Sequence, residues 1–444
     1  MILTRDPATG AELRHYPSHD DAAVSRALAA TAAAARDWAV VGLDERLALL
    51  RAVGKLLTER RDEYAALITA EMGKPLTEAL AEIDKCAWNC RVVADLAPGW
   101  LADREIESGA SRSWISYEPL GVIFAVMPWN FPFWQVLRFA CAALSAGNAA
   151  LLKHSPDVTG CALAIEALFT DAGAPAGLFR SLVIEAERVP EVSARIVADP
   201  RIAAVTLTGS ERAGAAIAQA AGAALKKTVL ELGGSDPFVV LADADVHEAA
   251  AAAARSRFGN AGQSCVAAKR FIVVDAVADE FVAALLAETP QVGPLARADL
   301  RDGAVRQIEQ SVAAGARLLT GGTAVDGPGF FLEPAVLDHV TPGMAVFTEE
   351  TFGPVAAVIR ARDDEHAIAL ANDTEFGLGC SVWGAPDHAL AVGRRIRSGA
   401  LFVNAPVASD PRLPFGGVGR SGYGRELSAE GVREFTNVRT VVIA

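Results

Sequence analysis

Gly121-Val122-Ile123-Phe124-Ala125-Val126-Met127 is an unbroken apolar run of strand length. A run with no polar alternation reads as a strand covered on both faces. Downstream of it the sequence settles into a rhythm. Helical segments at 134–145, 158–172, 191–197 and 211–223 alternate with strand-like segments at 149–153, 179–184, 203–207 and 228–231. Short apolar strands alternating with helices predict a parallel sheet with helices on both sides. Upstream, a turn at Asp6-Pro7-Ala8-Thr9-Gly10 leads to a short strand, and helices follow at 22–39, 43–61, 64–71 and 76–96, the first capped by Asp20 or Asp21.

Residues 113–119 alternate polar and apolar types, as an edge ribbon does. A second α/β unit begins near Gly233, with strands expected at 237–241, 270–274, 335–337, 355–360 and 379–383. Its helices fall at 246–257, 278–286, 304–314, 365–372 and 388–396. The tail, 438–443, reads as one more strand, placed to join the early ribbon or a partner's sheet.

At 444 residues the chain is too long for one simple core, so two large domains are expected. A formal net charge of −13 leaves no basic surplus to neutralise phosphates, which argues against nucleic acid. The six cysteines are scattered without a disulfide spacing; Cys86 and Cys90, one helical turn apart, read as partly buried helix residues. No histidine lies near them, so no metal site is expected. Residues 1–12 lack the apolar core of a secretory signal, and the Ala-rich stretches are broken by charges before a membrane span is reached. The expected setting is the reducing cytoplasm, with small-molecule partners.

The chemistry concentrates in Phe258-Gly259-Asn260-Ala261-Gly262-Gln263-Ser264-Cys265-Val266. A polar turn before Cys265 offers the exposure a nucleophilic thiol needs, although a lone cysteine is more often a buried one. Glu231, before Gly233-Gly234, is either a proton acceptor for a thiol or water, or a cap or ion-pair partner. Asn130, in Pro128-Trp129-Asn130-Phe131-Pro132, is either an amide donor to a developing oxyanion or a turn residue. Thr208-Gly209-Ser210, between a strand and a helix, suits a pyrophosphate or is an ordinary N-cap. Lys153 ends a strand, where open α/β sheets bind ligands. A literal G-x-G-x-x-G at Gly417, Gly419 and Gly422 opens no helix and reads as a packed loop with a mobile backbone.

Taken together, the motifs at 128–132, 147–153, 208–210, 231–234, 262–265, 350–354 and 414–426 make the whole chain resemble the aldehyde dehydrogenase superfamily. Lys153-His154-Ser155-Pro156 and Leu232-Gly233-Gly234-Ser235-Asp236-Pro237 resemble its short bacterial succinate-semialdehyde branch. The resemblance implies an α/β fold of two open domains. The cofactor-binding, Rossmann-like domain would comprise 1–100 and 120–232, and the catalytic domain 233–430. The ribbon 101–119 and tail 431–444 would build dimers or tetramers. It implies NAD, with NADP possible, held by Trp129, Lys153, Ser155, Thr208, Gly209, Ser210, Glu231, Leu232, Gly233, Glu350 and Phe352. Cys265 would attack the aldehyde, Asn130 and the Cys265 backbone N–H would hold the oxyanion, and Glu231 would activate water. Arg138 matches an arginine that reads a far carboxylate, alongside Asn130 in the substrate site; its alternative is a structural ion pair.

Three departures accompany the resemblance. Many NAD-preferring relatives carry glutamate where Pro156 stands, so a 2′-phosphate meets no repulsion there. His154 would favour that phosphate only if protonated, and reads as a neutral surface histidine. A second carboxylate-reading arginine is replaced by Gly259, with Arg257 two residues off. The chain is also about ten residues shorter before Gly293-Pro294-Leu295, which would loosen cofactor binding. The expected activity is oxidation of succinate semialdehyde. Oxidation of uncharged aliphatic aldehydes, acyl transfer to coenzyme A or phosphate, a non-catalytic protein keeping the fold, and an unrelated thiol hydrolase are the alternatives.

Overall fold

A computed structural model describes residues 1–444. The run at 122–127 forms the strand Val122–Met127, central in a six-stranded sheet. Ala149–His154 pairs on one side of it and Ile202–Thr208 on the other, both parallel. Strand neighbours on both sides and burial of both faces explain the missing alternation: only Val126 is partly exposed. Phe179–Leu182 extends the sheet beyond Ala149–His154, and Lys227–Glu231 extends it beyond Ile202–Thr208. Strand order therefore reverses at Val122–Met127. Such a switch opens a crevice beyond the carboxyl ends of the strands.

The second sheet has seven strands. Arg270–Val274 lies between Pro237–Val240 and Val355–Ala361, and the sheet continues to Ala335–Asp338 and Arg317–Thr320 on one side. Gly379–Trp383 and Ala400–Val403 extend the other side. A third, three-stranded sheet pairs Thr436–Ile443 antiparallel with Arg112–Pro119, from Thr436↔Pro119 to Ile443↔Arg112, so the tail joins the early ribbon within one chain. No helix is long and apolar enough to cross a membrane.

Several elements differ from the sequence reading for identifiable reasons. The helix expected to end near residue 96 runs from Leu76 to Trp100 through Pro98. Proline leaves the carbonyl four residues back without its donor; here that carbonyl, Ala94, accepts from the Arg51 guanidinium at 2.9 Å. Cys86 and Cys90 are fully buried rather than partly so. Part of the glycine-rich loop is a strand, Gly422–Tyr423, pairing antiparallel with Leu230 and Glu231. Gly422 has φ of +106°, and a Cβ there would strike the Leu230 carbonyl, so only glycine fits.

A buried ion pair sets the entrance of the helix Trp134–Ser145. Glu82 lies on the long fourth helix and is 4% exposed. One of its oxygens accepts from the backbone N–H groups of Phe133 and Trp134, at 2.9 and 3.0 Å, at the helix start. Its other oxygen meets the buried Lys74 ammonium. Lys74 also sits over the Phe131 ring, 3.6 Å from its centroid. The pair thus fixes the segment that carries Asn130 into the crevice. Removing one partner of a buried pair strands the other charge, at a cost of about 3–5 kcal/mol. Glu82→Ala is therefore expected to lower stability by that amount in urea titration. The Lys74→Met, Glu82→Gln double variant is expected to regain most of the loss; double-variant stability equal to that of Glu82→Ala would show that the stranded charge is not the cause.

Candidate active site

The helix Val246–Phe258 ends in a one-turn segment, Gly259–Gly262, in which Asn260 and Ala261 hold left-handed φ angles of 51° and 52°. Each costs about 1–2 kcal/mol for a residue with a side chain, so surrounding contacts must enforce the turn. Those contacts are buried side chains that end on backbone carbonyls. Arg257, fully buried, donates to the carbonyls of Gly262 (2.9 Å), Ala268 (3.3 Å) and Gly353. Lys269 donates to the carbonyls of Ser264 (3.0 Å) and Cys265 (2.7 Å). Gln263, also fully buried, donates to the Asn260 carbonyl at 3.0 Å and accepts from the Ala296 N–H at 2.9 Å. Arg257 is thereby committed to the turn and does not stand in for the arginine missing at Gly259.

The turn is tied across the two sheets to Asn130. The Asn130 side-chain amide donates to the Gln263 carbonyl at 3.1 Å, and the Asn130 carbonyl accepts from the Asn260 side chain at 3.0 Å. An amide has two N–H donors, so Asn130 keeps one beyond that bond. Asn130 and Cys265 line the same cavity, about 530 Å³ in volume.

That cavity lies at the switch point. Its walls include Trp129, beyond the central strand, and Lys153 and Ser155, at the end of the next. Thr208, Gly209 and Ser210 lie at the end of Ile202–Thr208, and Leu232 and Gly233 follow Lys227–Glu231. Glu350 and Phe352 come from the second half of the chain. The structure thus gathers every residue assigned to cofactor binding except Glu231. Ser210 does cap the helix Glu211–Ala223, accepting from the Ala213 N–H at 3.3 Å, and lines the cavity as well. Phe352 meets Trp129 edge to face, with centroids 5.8 Å apart. Glu350 accepts from the Gly234 N–H at 3.0 Å and lies 3.6 Å from the Lys269 ammonium.

The groups present fit a dinucleotide. Lys153 is 7% exposed, has no carboxylate within ion-pair distance and is pushed down to about 8 by burial, so it awaits an anionic or hydroxyl-bearing partner. The nearest acid in sequence, Asp157, is engaged by Arg297 at 2.9 Å. His154 is buried rather than on the surface. Its Nδ1 accepts from the Ser155 N–H at 2.9 Å, so its Nε2–H donates to the Pro132 carbonyl, also at 2.9 Å. Burial pushes it down to about 4, and it brings no charge to a phosphate.

Glu231 ends the strand Lys227–Glu231 at 2% exposure, but lines neither this cavity nor the one beyond Cys265. It sits near Arg138, Glu426 and Arg425, with no hydrogen-bond partner on either oxygen. Burial pushes the carboxyl well above the usual carboxylate range; Arg138 opposes that shift and Glu426 adds to it. Arg138, 2% exposed, pairs with Glu426, lies over the Phe415 ring and donates to the Thr208 hydroxyl at 3.3 Å. Of the two roles weighed for Arg138, the ion pair is the one the structure displays.

Sequence reasoning missed Gln263, Lys269 and Arg297. Gln263 stands two residues before Cys265, but the partners that tie it to the rest of the site, Ala296 and Asn130, lie 33 and 133 residues away in sequence and leave no local signal. Arg297 follows the shortened segment and lines the cavity, 5.6 Å from the Trp129 ring centroid. That segment is tied down: Gly293 packs on Gly73 and Pro75, and Leu295 N–H donates to Phe330 at 3.0 Å.

The aldehyde dehydrogenase family model matches residues 1–441. The chain is 48% identical over 456 residues to a probable succinate-semialdehyde dehydrogenase [NADP(+)] of Synechocystis sp., covering 100% of both chains. It is 47% identical to the succinate semialdehyde dehydrogenase [NAD(P)+] Sad of Escherichia coli, covering 99% of this chain and 97% of that one. Among solved structures, the succinic semialdehyde dehydrogenase of Streptococcus pyogenes in complex with NADP+ superposes over 100% of both chains, with a TM-score of 0.96 at 37% identity.

Cys265 borders both cavities and is partly exposed, yet desolvation by the surrounding protein pushes the thiol up to about 12. Lys269 and then Arg138 oppose the shift. The other five cysteines are buried. Because only the thiolate alkylates, iodoacetamide is expected to modify the ligand-free native protein at Cys265 alone. The rate should rise about tenfold per pH unit between pH 7 and 10. A plateau below pH 9, read by peptide mass spectrometry over time, would contradict a thiol held protonated by burial.

Proposed function

The chain belongs to the aldehyde dehydrogenase family, and on that premise we propose that it oxidises succinate semialdehyde to succinate with NADP or NAD. The observation that carries the reading is the tie from Asn130 through Gln263 to the Cys265 turn, which presents a thiol and a free amide N–H to one cavity. Full-length similarity to proteins named for this substrate supports the choice of aldehyde.

The Cys265 thiol first gives up its proton to solvent; the thiolate Sγ then adds to the aldehyde carbon, forming a C–S bond as the carbonyl π pair moves onto the oxygen. The Asn130 side chain and the Cys265 backbone N–H donate to that oxygen. Preorganised donors of this kind are worth about 10²–10³-fold each. Lys153, Ser155 and the helix start at Ser210 would hold the phosphates and adenosine ribose of the cofactor, and Glu350 the other ribose. A nicotinamide held there would supply the two-electron acceptor for the hydride that leaves the carbon on Cys265. The carbon is then at the acyl level, a thioester of Cys265. Glu231 takes a proton from water, the water oxygen adds to the thioester carbon, and the C–S bond breaks to release the acid and restore the cysteine. For this, the Glu231 carboxyl turns from beside Arg138 toward Cys265. It accepts a proton only when ionised, so its raised pKa makes hydrolysis faster as pH rises through that value. With no acid at Pro156 and Asp157 engaged by Arg297, a 2′-phosphate near Lys153 meets little repulsion, which supports NADP alongside NAD.

We also propose that residues 1–100 with 120–232 act as the cofactor domain and 233–430 as the catalytic domain. The open edge of Thr436–Ile443, with Val438, Val442 and Ile443 exposed, supports assembly with further copies of the chain.

Absorbance of the reduced nicotinamide, with succinate semialdehyde and uncharged aldehydes and with each cofactor, tests the reading. Turnover of succinate semialdehyde is expected with both cofactors and is expected to vanish in Cys265→Ala. Glu231→Gln is expected to give one equivalent of reduced cofactor and then a steady rate about 10²–10⁴-fold lower. Turnover confined to uncharged aldehydes would retire the choice of substrate.

A further inference from the structure

Cys265 and Gln135 stand on the walls of two cavities at once, the cofactor crevice and a second space of about 320 Å³. The second cavity is walled by Trp134, Phe131, Ser409 and Phe415, and two cations reach it, Arg138 and Lys85. Their states differ. Arg138 already faces the Glu426 carboxylate and is 2% exposed. Lys85, half-buried on the long fourth helix, has no carboxylate within ion-pair distance. Its ammonium lies 4.5 Å from the Trp134 ring centroid and donates one hydrogen bond, to the Ser409 hydroxyl at 2.7 Å. An ammonium has three donors, so two remain. Ser409, accepting from Lys85, keeps its own O–H to donate.

The acids around Lys85 are otherwise engaged. Glu82 is held by Lys74 and the helix amides, Asp410 by Arg412, and Glu78 by the Asn260 N–H at 2.6 Å. A cation left without a counter-ion, on the wall of a space that also contains the candidate nucleophile, is built for an anion that arrives with the ligand. We infer that Lys85, rather than Arg138, receives the far carboxylate of a short ω-oxo acid whose aldehyde reaches Cys265. The inference rests on the proposed aldehyde oxidation for its second half, while the carboxylate site stands on the geometry alone.

The charge on Lys85 is conditional. Burial, then the nearby Arg138, pushes the ammonium down to about 8, against the opposing pull of Cys86, Asp410 and Glu82. A lysine with a lowered pKa loses its charge as pH rises, so carboxylate affinity in the free protein falls above about pH 8.

Two measurements test the site. The first asks whether succinate, and not neutral butyramide, slows alkylation of Cys265 by iodoacetamide, and needs no turnover. Protection by succinate is expected in the wild type, lost at least tenfold in Lys85→Met, and retained in Lys85→Arg with its upper pH limit moved above 9. The second is the ratio of kcat/KM for succinate semialdehyde over butanal, expected to fall about 100-fold in Lys85→Met and to recover largely in Lys85→Arg. Equal succinate protection in wild type and Lys85→Met, with both variants folded by thermal melt, overturns the role of Lys85. Succinate protection that depends on Lys85, in a protein that oxidises no aldehyde, upholds the carboxylate site and removes the proposed reaction instead.

Discussion

Buried cations that end on backbone carbonyls hold this site together. Arg257, Lys269 and Arg270 are each at most 1% exposed. Arg257 grips the carbonyls of Gly262, Ala268 and Gly353, and Lys269 those of Ser264 and Cys265. Arg270 grips Ser235, Leu370 and Ala371. A cation removed from water costs several kcal/mol unless its donors are met. Any shift of the cysteine turn, or of the loop around Gly353, would strand such a charge. The loop carrying Glu350 and Phe352 and the turn carrying Cys265 are therefore fixed relative to each other, which is what two partners around one cofactor require.

The same dryness sets the electrostatics. Burial holds the Cys265 thiol and the Glu231 carboxyl toward their neutral forms and weakens the charge on Lys153 and Lys85. In a low-dielectric pocket each charge that a ligand brings is felt strongly. The two lysines await anions in separate cavities, and Cys265 stands between them. Arg138 illustrates the converse. Its partner Glu426 comes from a segment 288 residues further along the chain, and the pair neutralises a cation that the resemblance left open between a carboxylate reader and a structural ion pair.

Much of the scaffold was legible because its physics is local. The run at 122–127 reads as a buried strand since both faces are covered, and caps are legible at Asp20 or Asp21 and within Thr208-Gly209-Ser210 since a capping side chain bonds within its own turn; Asp20 and Ser210 are the ones that cap. Elements that depend on remote partners were misread. The fourth helix continues through Pro98 because Arg51 supplies the donor that proline lacks. The glycine-rich segment at 417–422 contributes a strand because its backbone lies against Leu230 and Glu231. His154 is buried because the Pro132 carbonyl takes its ring N–H.

By itself, the sequence determined the alternation of strands and helices, the identity of a thiol, an acid and an amide in separate motifs, and the family those motifs resemble. Hydrophobic periodicity and capping act over a few residues, and so leave their mark in the local sequence. The tertiary structure alone decided which of those groups meet. It brought Asn130 and Cys265 to one cavity through Gln263, turned Glu231 toward Arg138, and left Lys85 rather than Arg138 without a counter-ion. Charge pairing and desolvation depend on neighbours far apart in the chain, and no spacing in the sequence records which buried cation has already found its acid.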